Sequence, residues 1–291
     1  MRISLAALVG VAMLVCVGEA QDFKARAIQL HRSTPLIDGH NDYPWALRGI
    51  DPGRDLNKAE ITKPVPSLMT DIPRLRQGGV GGQFWSVYTP GTMQGQEAVR
   101  VTLEQIDIVH RMTRKWGETF QMANTADDVD RAFKNGKIAS MIGMEGGHSI
   151  DNSLPTLRMF YALGARYMTL THVNTNNWCD SSGDAPRHGG LTDFGRGVVR
   201  VMNDLGMIVD VSHISDDAFR HVIETTRVPV VATHSSARAL CRHPRNMTPT
   251  HNLHLRRADA AADKPVAGGL TRFGEEVVRE MNRLGMLVDL S

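Results

Sequence analysis

Six side chains that bind metal ions well stand at the carboxyl ends of apolar runs in this sequence: His40, Asp42, Glu145, His172, His213 and His234. The stretch Thr34-Pro-Leu-Ile-Asp-Gly39 leads into His40 and Asp42, whose spacing of two lets both side chains point the same way. Imidazole beside carboxylate suits zinc or a similar divalent ion. The same pair would also serve as a strand-to-loop turn with a capping Asp and an incidental His, so it does not decide the matter alone. Glu145 closes the run Ile138-Ala-Ser-Met-Ile-Gly-Met144 and is followed by Gly146-Gly147. A carboxylate in that position must be solvated or paired. The runs Arg166–His172, Gly206–His213 and Val228–His234 each end in His.

These runs alternate with helical patterns. Strands are expected at 34–42, within 78–88 after a glycine turn, and at 138–145, 166–172, 206–213 and 228–234, and helices at 97–116, 126–134, 153–163, 193–205 and 216–224. A polar segment with Pro64, Pro66 and Pro73 reads as an irregular loop and a short helix. Such alternation predicts an α/β protein with a parallel sheet, and polar residues confined to carboxyl strand ends favour a (β/α)8 TIM-barrel-like metallohydrolase. No Gly-x-Gly-x-x-Gly loop follows any strand, which removes support for a doubly wound nucleotide-binding sheet. A barrel would bring His40, Asp42, Glu145, His213 and His234 to one mouth, where two cations could share Glu145 as a bridging carboxylate. Two such ions about 3.5–4 Å apart hold a bridging hydroxide at neutral pH and polarise a carbonyl, as amide hydrolysis requires. His172 would then be free to hydrogen-bond a developing oxyanion.

The bulk properties narrow the class. With 291 residues, 42% hydrophobic and 22% charged, the chain is long enough for one barrel or two smaller domains. Its net charge of +2 and the lack of a basic block interleaved with aromatics argue against nucleic acid as a partner. Arg2 followed by the apolar stretch Leu5–Gly18 and the small-x-small triplet Gly18-Glu19-Ala20 reads as a cleaved secretory signal over 1–20. A secreted, periplasmic or extracellular protein without a membrane span in its mature chain is expected. Cleavage leaves Cys179 and Cys241, which either pair or stay free.

Leu-Ile-Asp-Gly-His-Asn-Asp42, Gly-Met-Glu-Gly-Gly-His148, Leu-Thr-His-Val-Asn-Thr175, Asp-Val-Ser-His213, Thr-His-Ser-Ser-Ala-Arg238 and His-Pro-Arg-Asn-Met247 together resemble the membrane (renal-type) dipeptidase family of the amidohydrolase superfamily, from about residue 23 to about 248. The resemblance implies a zinc-dependent dipeptidase on a (β/α) barrel, with two Zn2+ as cofactors and a dipeptide as substrate. It assigns His40 and Asp42 to one zinc, Glu145 to the bridge, and His213 with His234 to the other. It implies that His172 contacts the scissile carbonyl and that Arg245 holds the dipeptide's terminal carboxylate, where a guanidinium fork binds bidentately. Either a monomer or a homodimer is compatible with it.

Past a linker at 249–267, residues 268–291 repeat residues 189–212 with 17 of 24 positions identical. The domain reading is therefore a signal at 1–20, a partial barrel at 21–248, the linker and the repeat. The family's later strands, with an Asp that completes one metal site and a substrate-contacting Tyr, do not follow. An incomplete barrel of reduced activity is expected, with an inactive pseudo-dipeptidase as the non-enzyme alternative. Another barrel metallohydrolase, acting on a lactone, phosphotriester or cyclic amide, is the alternative enzyme; it would not need Arg245.

Overall fold

A computed structural model describes residues 25–235, 238 and 242–246. The expected signal segment, the linker, the repeat, Cys16 and Cys241 lie outside the described residues. A helix α1 at 25–33 leads into β1 (Leu36–Asn41). There follow α2 (Tyr43–Ile50), α3 (Ile72–Gly78), β2 (Val80–Tyr88), α4 (Gly95–Lys115), β3 (Phe120–Met122), α5 (Ala126–Lys134) and β4 (Ile138–Glu145). A 3-10 turn (Gly147–Ile150), α6 (Leu154–Ala162), β5 (Ala165–Thr169), α7 (Asp193–Leu205), β6 (Ile208–Asp210) and α8 (Asp216–Thr225) complete the described order.

Every strand pair is parallel, in the order β1-β2-β4-β5-β6. The short β3 takes the first part of one edge of β4, pairing Phe120–Met122 with Ile138–Ser140, and β5 takes the same edge from Ile142 onward. The sheet is curled: the ring of His40, at the end of the first strand, stacks 4.0 Å from that of His234, beyond the last. This is the α/β barrel architecture expected from the alternation, realised over the described residues as a curled half-barrel with helices around it.

Burial explains which segments became strands. All eight residues of β4 are buried, as befits a strand covered on both faces of a parallel sheet. Outside it, α4 buries Val101, Ile108, Val109 and Met112, and α7 buries Gly195, Val198, Val199 and Met202. Thr125 and Asp128 close α5 with a capping box, and Ser153, Thr192 and Ser215 cap α6, α7 and α8 with side-chain oxygens.

Three strand expectations are corrected. β5 stops at Thr169 and β6 at Asp210, so His172 and His213 sit on loops three residues beyond their strands. The expected strand at 228–234 contributes a single parallel bridge, Val231 to Asp210. The cause is Asp210, whose carboxylate accepts from the backbone N–H and hydroxyl of Ser212 at 3.0 and 2.9 Å and from the N–H of Thr233 at 3.1 Å. Side-chain acceptors that capture backbone donors compete with the ladder, and His213 leaves it with a positive φ of 67°. β3 has no counterpart among the expected strands, since three residues show no usable period.

Candidate metal centre

Glu145 is the hub. Its side chain is 5% exposed at the end of β4, and its two oxygens face different neighbours. Oε2 lies 3.3 Å from His40 Nε2, which is also 3.3 Å from Asp42 Oδ1. Oε1 lies 3.0 Å from both His213 Nε2 and His234 Nε2, and 3.6 Å from His172 Nε2. The structure thus brings together all six strand-end candidates. Their grouping is wider than the sequence implied: ligand atoms of His40, Glu145 and His234 lie within 4.8 Å of one another, as do those of Glu145, His172 and His213. Asp42 is the most open member, with a half-exposed side chain that makes no capping bond to α2 although it stands at that helix's N-cap.

The donor chemistry fits divalent cations. His213 Nε2 and His234 Nε2 are 2.6 Å apart while both reach the same carboxylate oxygen. Two hydrogens pointed at that oxygen would collide, and two bare lone pairs would repel, so a cation among the three atoms is what reconciles them. The Nδ1 atoms of His40 and His234 are committed elsewhere. Tyr167 Oη donates to the Gly39 carbonyl at 3.1 Å and accepts from His40 Nδ1 at 2.9 Å. Thr233 Oγ1 donates to Asp210 Oδ2 at 2.8 Å and accepts from His234 Nδ1, also at 2.8 Å. Each relay keeps the proton on Nδ1 and leaves Nε2 free for a metal, the usual arrangement behind metal-bound histidines.

The electrostatics follow from burial and company. Burial alone would push the Glu145 carboxyl up, but the neighbouring imidazoles of His40, His234 and His213 outweigh it and hold the group well below the usual carboxylate range. Burial pushes His172 and His234 down. It pushes His40 down too, yet Tyr167, Glu145 and Asp42 overcome this and raise it.

Sequence reasoning missed Tyr167, Asp210 and Thr233, which orient His40 and His234. Asp210 is wholly buried and also accepts the Thr169 hydroxyl at 2.5 Å, so one carboxylate ties together β5, β6 and the His234 segment. Its place in Asp-Val-Ser-His213 was the available signal. Tyr167 reaches His40 only because Gly143 lies beneath it; a Cβ there would stand 2.0 Å from the phenol ring.

Arg245 lies beside this cluster, its Nη2 3.5 Å from His213 Nδ1. Arg238 braces that segment, pairing with Asp216 at 2.7 Å and donating to the carbonyls of Pro244 and Asn246. All seven candidate residues line one cleft of about 750 Å³, together with Tyr88 and the loop carrying Ser67–Thr70. Among the described residues no helix is long and apolar enough to cross a membrane. Cys179 is buried and carries a free thiol.

Comparison with known proteins agrees with this geometry. The family model described as membrane dipeptidase (peptidase family M19) matches residues 24–249 and again 245–291, so the likeness runs past residue 248, where the motifs had ended it. Dipeptidase verJ of Clonostachys rogersoniana is 40% identical over 236 residues, covering 77% of this chain and 60% of that protein. Dipeptidase 3 of Homo sapiens is 43% identical over 227 residues, covering 76% of this chain and 45% of that protein. The chain therefore spans about half the length of the curated relatives it matches. The crystal structure of the probable dipeptidase PvdM from Pseudomonas aeruginosa superposes with a TM-score of 0.68 at 26% identity, over 79% of this chain and 60% of that one. A curled parallel sheet, a histidine and carboxylate cluster at its carboxyl end and a family match across most of the chain agree: this chain belongs to the membrane dipeptidase family.

Proposed function

We propose that the chain forms the metal-binding and substrate-binding part of a secreted, zinc-dependent dipeptidase that hydrolyses the peptide bond of a dipeptide. The observation that carries this reading is Glu145, a buried carboxylate whose two oxygens face different histidines. In this reading His40 and Asp42 would hold one zinc and His213 and His234 the other, with Glu145 shared between them. Ions bound there would activate a water and polarise the scissile carbonyl. Glu145 remains an anion at neutral pH because its carboxyl is held so low, which keeps both oxygens available as ligands. His172 approaches from the cleft side, its side chain 18% exposed, which supports a role in donating from Nε2 to the carbonyl oxygen as charge develops on it. Arg245 offers a planar fork to the substrate's terminal carboxylate, which fixes substrate length.

Zinc titration into metal-stripped chain, followed by assay of Leu-Gly cleavage, tests this. Two equivalents should bind, cleavage should follow metal loading, and Glu145→Gln should lose both. A zinc-loaded chain that cleaves a lactone or phosphotriester but no dipeptide would transfer the site to the other metallohydrolase class. One equivalent or none would support the pseudo-dipeptidase reading.

A further inference from the structure

The cleft is asymmetric. Arg245 stands at the His213 end, and the loop Ser67–Thr70 forms the lip at the His40 end. That lip is fastened to the metal-side strand: Asn41, between His40 and Asp42, donates from Nδ2 to Thr70 Oγ1 at 2.6 Å while its Oδ1 accepts from the Tyr43 N–H. It is also closed on itself. Asp71 accepts from the Val65 and Arg74 N–H groups, each at 2.9 Å, and Arg74 donates to the carbonyls of Val65 and Leu68. Leu68 points inward and is buried, whereas Met69 lines the cleft and is 85% exposed, the most exposed large hydrophobic side chain among the described residues. A single exposed methionine is ordinary. One held at the rim of a polar site by a rigid turn has no packing role there and meets whatever enters the cleft.

We propose that Met69 is a specificity-determining residue which favours an apolar side chain on the amino-terminal residue of the substrate. The inference rests on the dipeptidase reading. If Arg245 holds the terminal carboxylate, a dipeptide laid across Glu145 extends its amino-terminal residue toward His40 and the lip, so that residue's side chain meets the Met69 thioether. A flexible, polarisable methionine accommodates varied apolar shapes rather than one.

The test uses zinc-loaded full chain and a set of uncleavable mimics in which a phosphinate replaces the scissile amide. The mimics carry Leu-Gly, Gly-Leu and Gly-Gly side chains, and binding is measured by calorimetry for wild type, Met69→Ser and Met69→Leu. Wild type should prefer Leu-Gly over Gly-Gly, Met69→Ser should reduce that preference about tenfold, and Met69→Leu should largely keep it. Gly-Gly binding should not move in either variant. An unchanged preference, an equal loss for Leu-Gly and Gly-Gly, or a shift confined to Gly-Leu would each overturn the assignment while leaving the dipeptidase reading intact. Failure of wild type to bind any of the three would overturn both.

Discussion

At the scale of single residues, the histidines do not orient themselves. Nδ1 of His40 is held by Tyr167, and the phenol is in turn held by the Gly39 carbonyl. Replacing Tyr167 by Phe removes that acceptor while keeping the ring that packs on Phe84. Loss of such a supporting partner commonly lowers metal affinity about 10–100-fold. Tyr167→Phe should therefore weaken one of the two proposed zinc sites by that order, measured by competition with a chromophoric chelator, and leave the thermal midpoint of the metal-free chain nearly unchanged. Equal weakening of both sites would show that the phenol acts through the sheet rather than through His40. The clustered side chains were legible in the sequence because each stands near the end of an apolar run, where a charged or basic side chain is otherwise hard to explain. Tyr167 and Thr233 were not, because an aromatic or β-branched residue inside a strand looks like ordinary packing until its hydroxyl is seen to point at a ring nitrogen.

At the scale of elements, most of the sheet and its helices could be read from periodicity, since β2, β4, α4, α5, α7 and α8 each carry a long run with one dominant repeat. The overshoot at β5 and β6 arose because the apolar run continues after the ladder has stopped. Val211 is buried like a strand residue, yet the Asp210 carboxylate has already drawn Ser212 and Thr233 into a turn. Asp71 plays a related part at the start of α3, capping the helix through the Arg74 N–H and pinning the lip through Val65. Burial pushes its carboxyl up, but hydrogen bonds from Val65 and Arg74 and the Arg74 charge prevail and lower it. A carboxyl whose folded value is depressed contributes stability that is present above its unfolded value, about 4, and fades as pH falls through the folded one. Asp71→Asn should thus lower the urea midpoint at pH 7 and converge on wild type in strong acid. Asp71→Ala, which also deletes the cap, should cost about 1 kcal/mol more at neutral pH. A wild-type minus Asn difference that stays constant with pH would show that shape, not charge, holds the lip.

At the scale of the whole molecule, the curl of the sheet makes the site: residues 194 positions apart, His40 and His234, meet ring against ring because the strands between them bend round. The motifs gave the family and the order of the candidate residues, while the curl that brings them together depends on long-range packing that no local stretch of sequence displays. One local unit has a partner elsewhere in the chain. Buried Gly190, Leu191, Gly195, Val198, Val199, Met202, Met207, Val209, Asp210 and Ser212 all recur 79 positions later, and of the seven positions that differ only Val211 is buried, where the second copy has Leu290. Two segments of one polypeptide thus carry the residues that, in the first copy, fill one berth between α6, β5 and α8. Natural folds avoid such near-degenerate choices, because competing arrangements of similar energy slow the search and trap the chain. A chain ending at residue 267 should therefore refold from urea with fewer slow phases and a higher soluble yield than the 291-residue chain, and Val277→Asp in the second copy should recover most of that gain. Identical refolding of all three would mean that the first copy claims its berth before the second can compete.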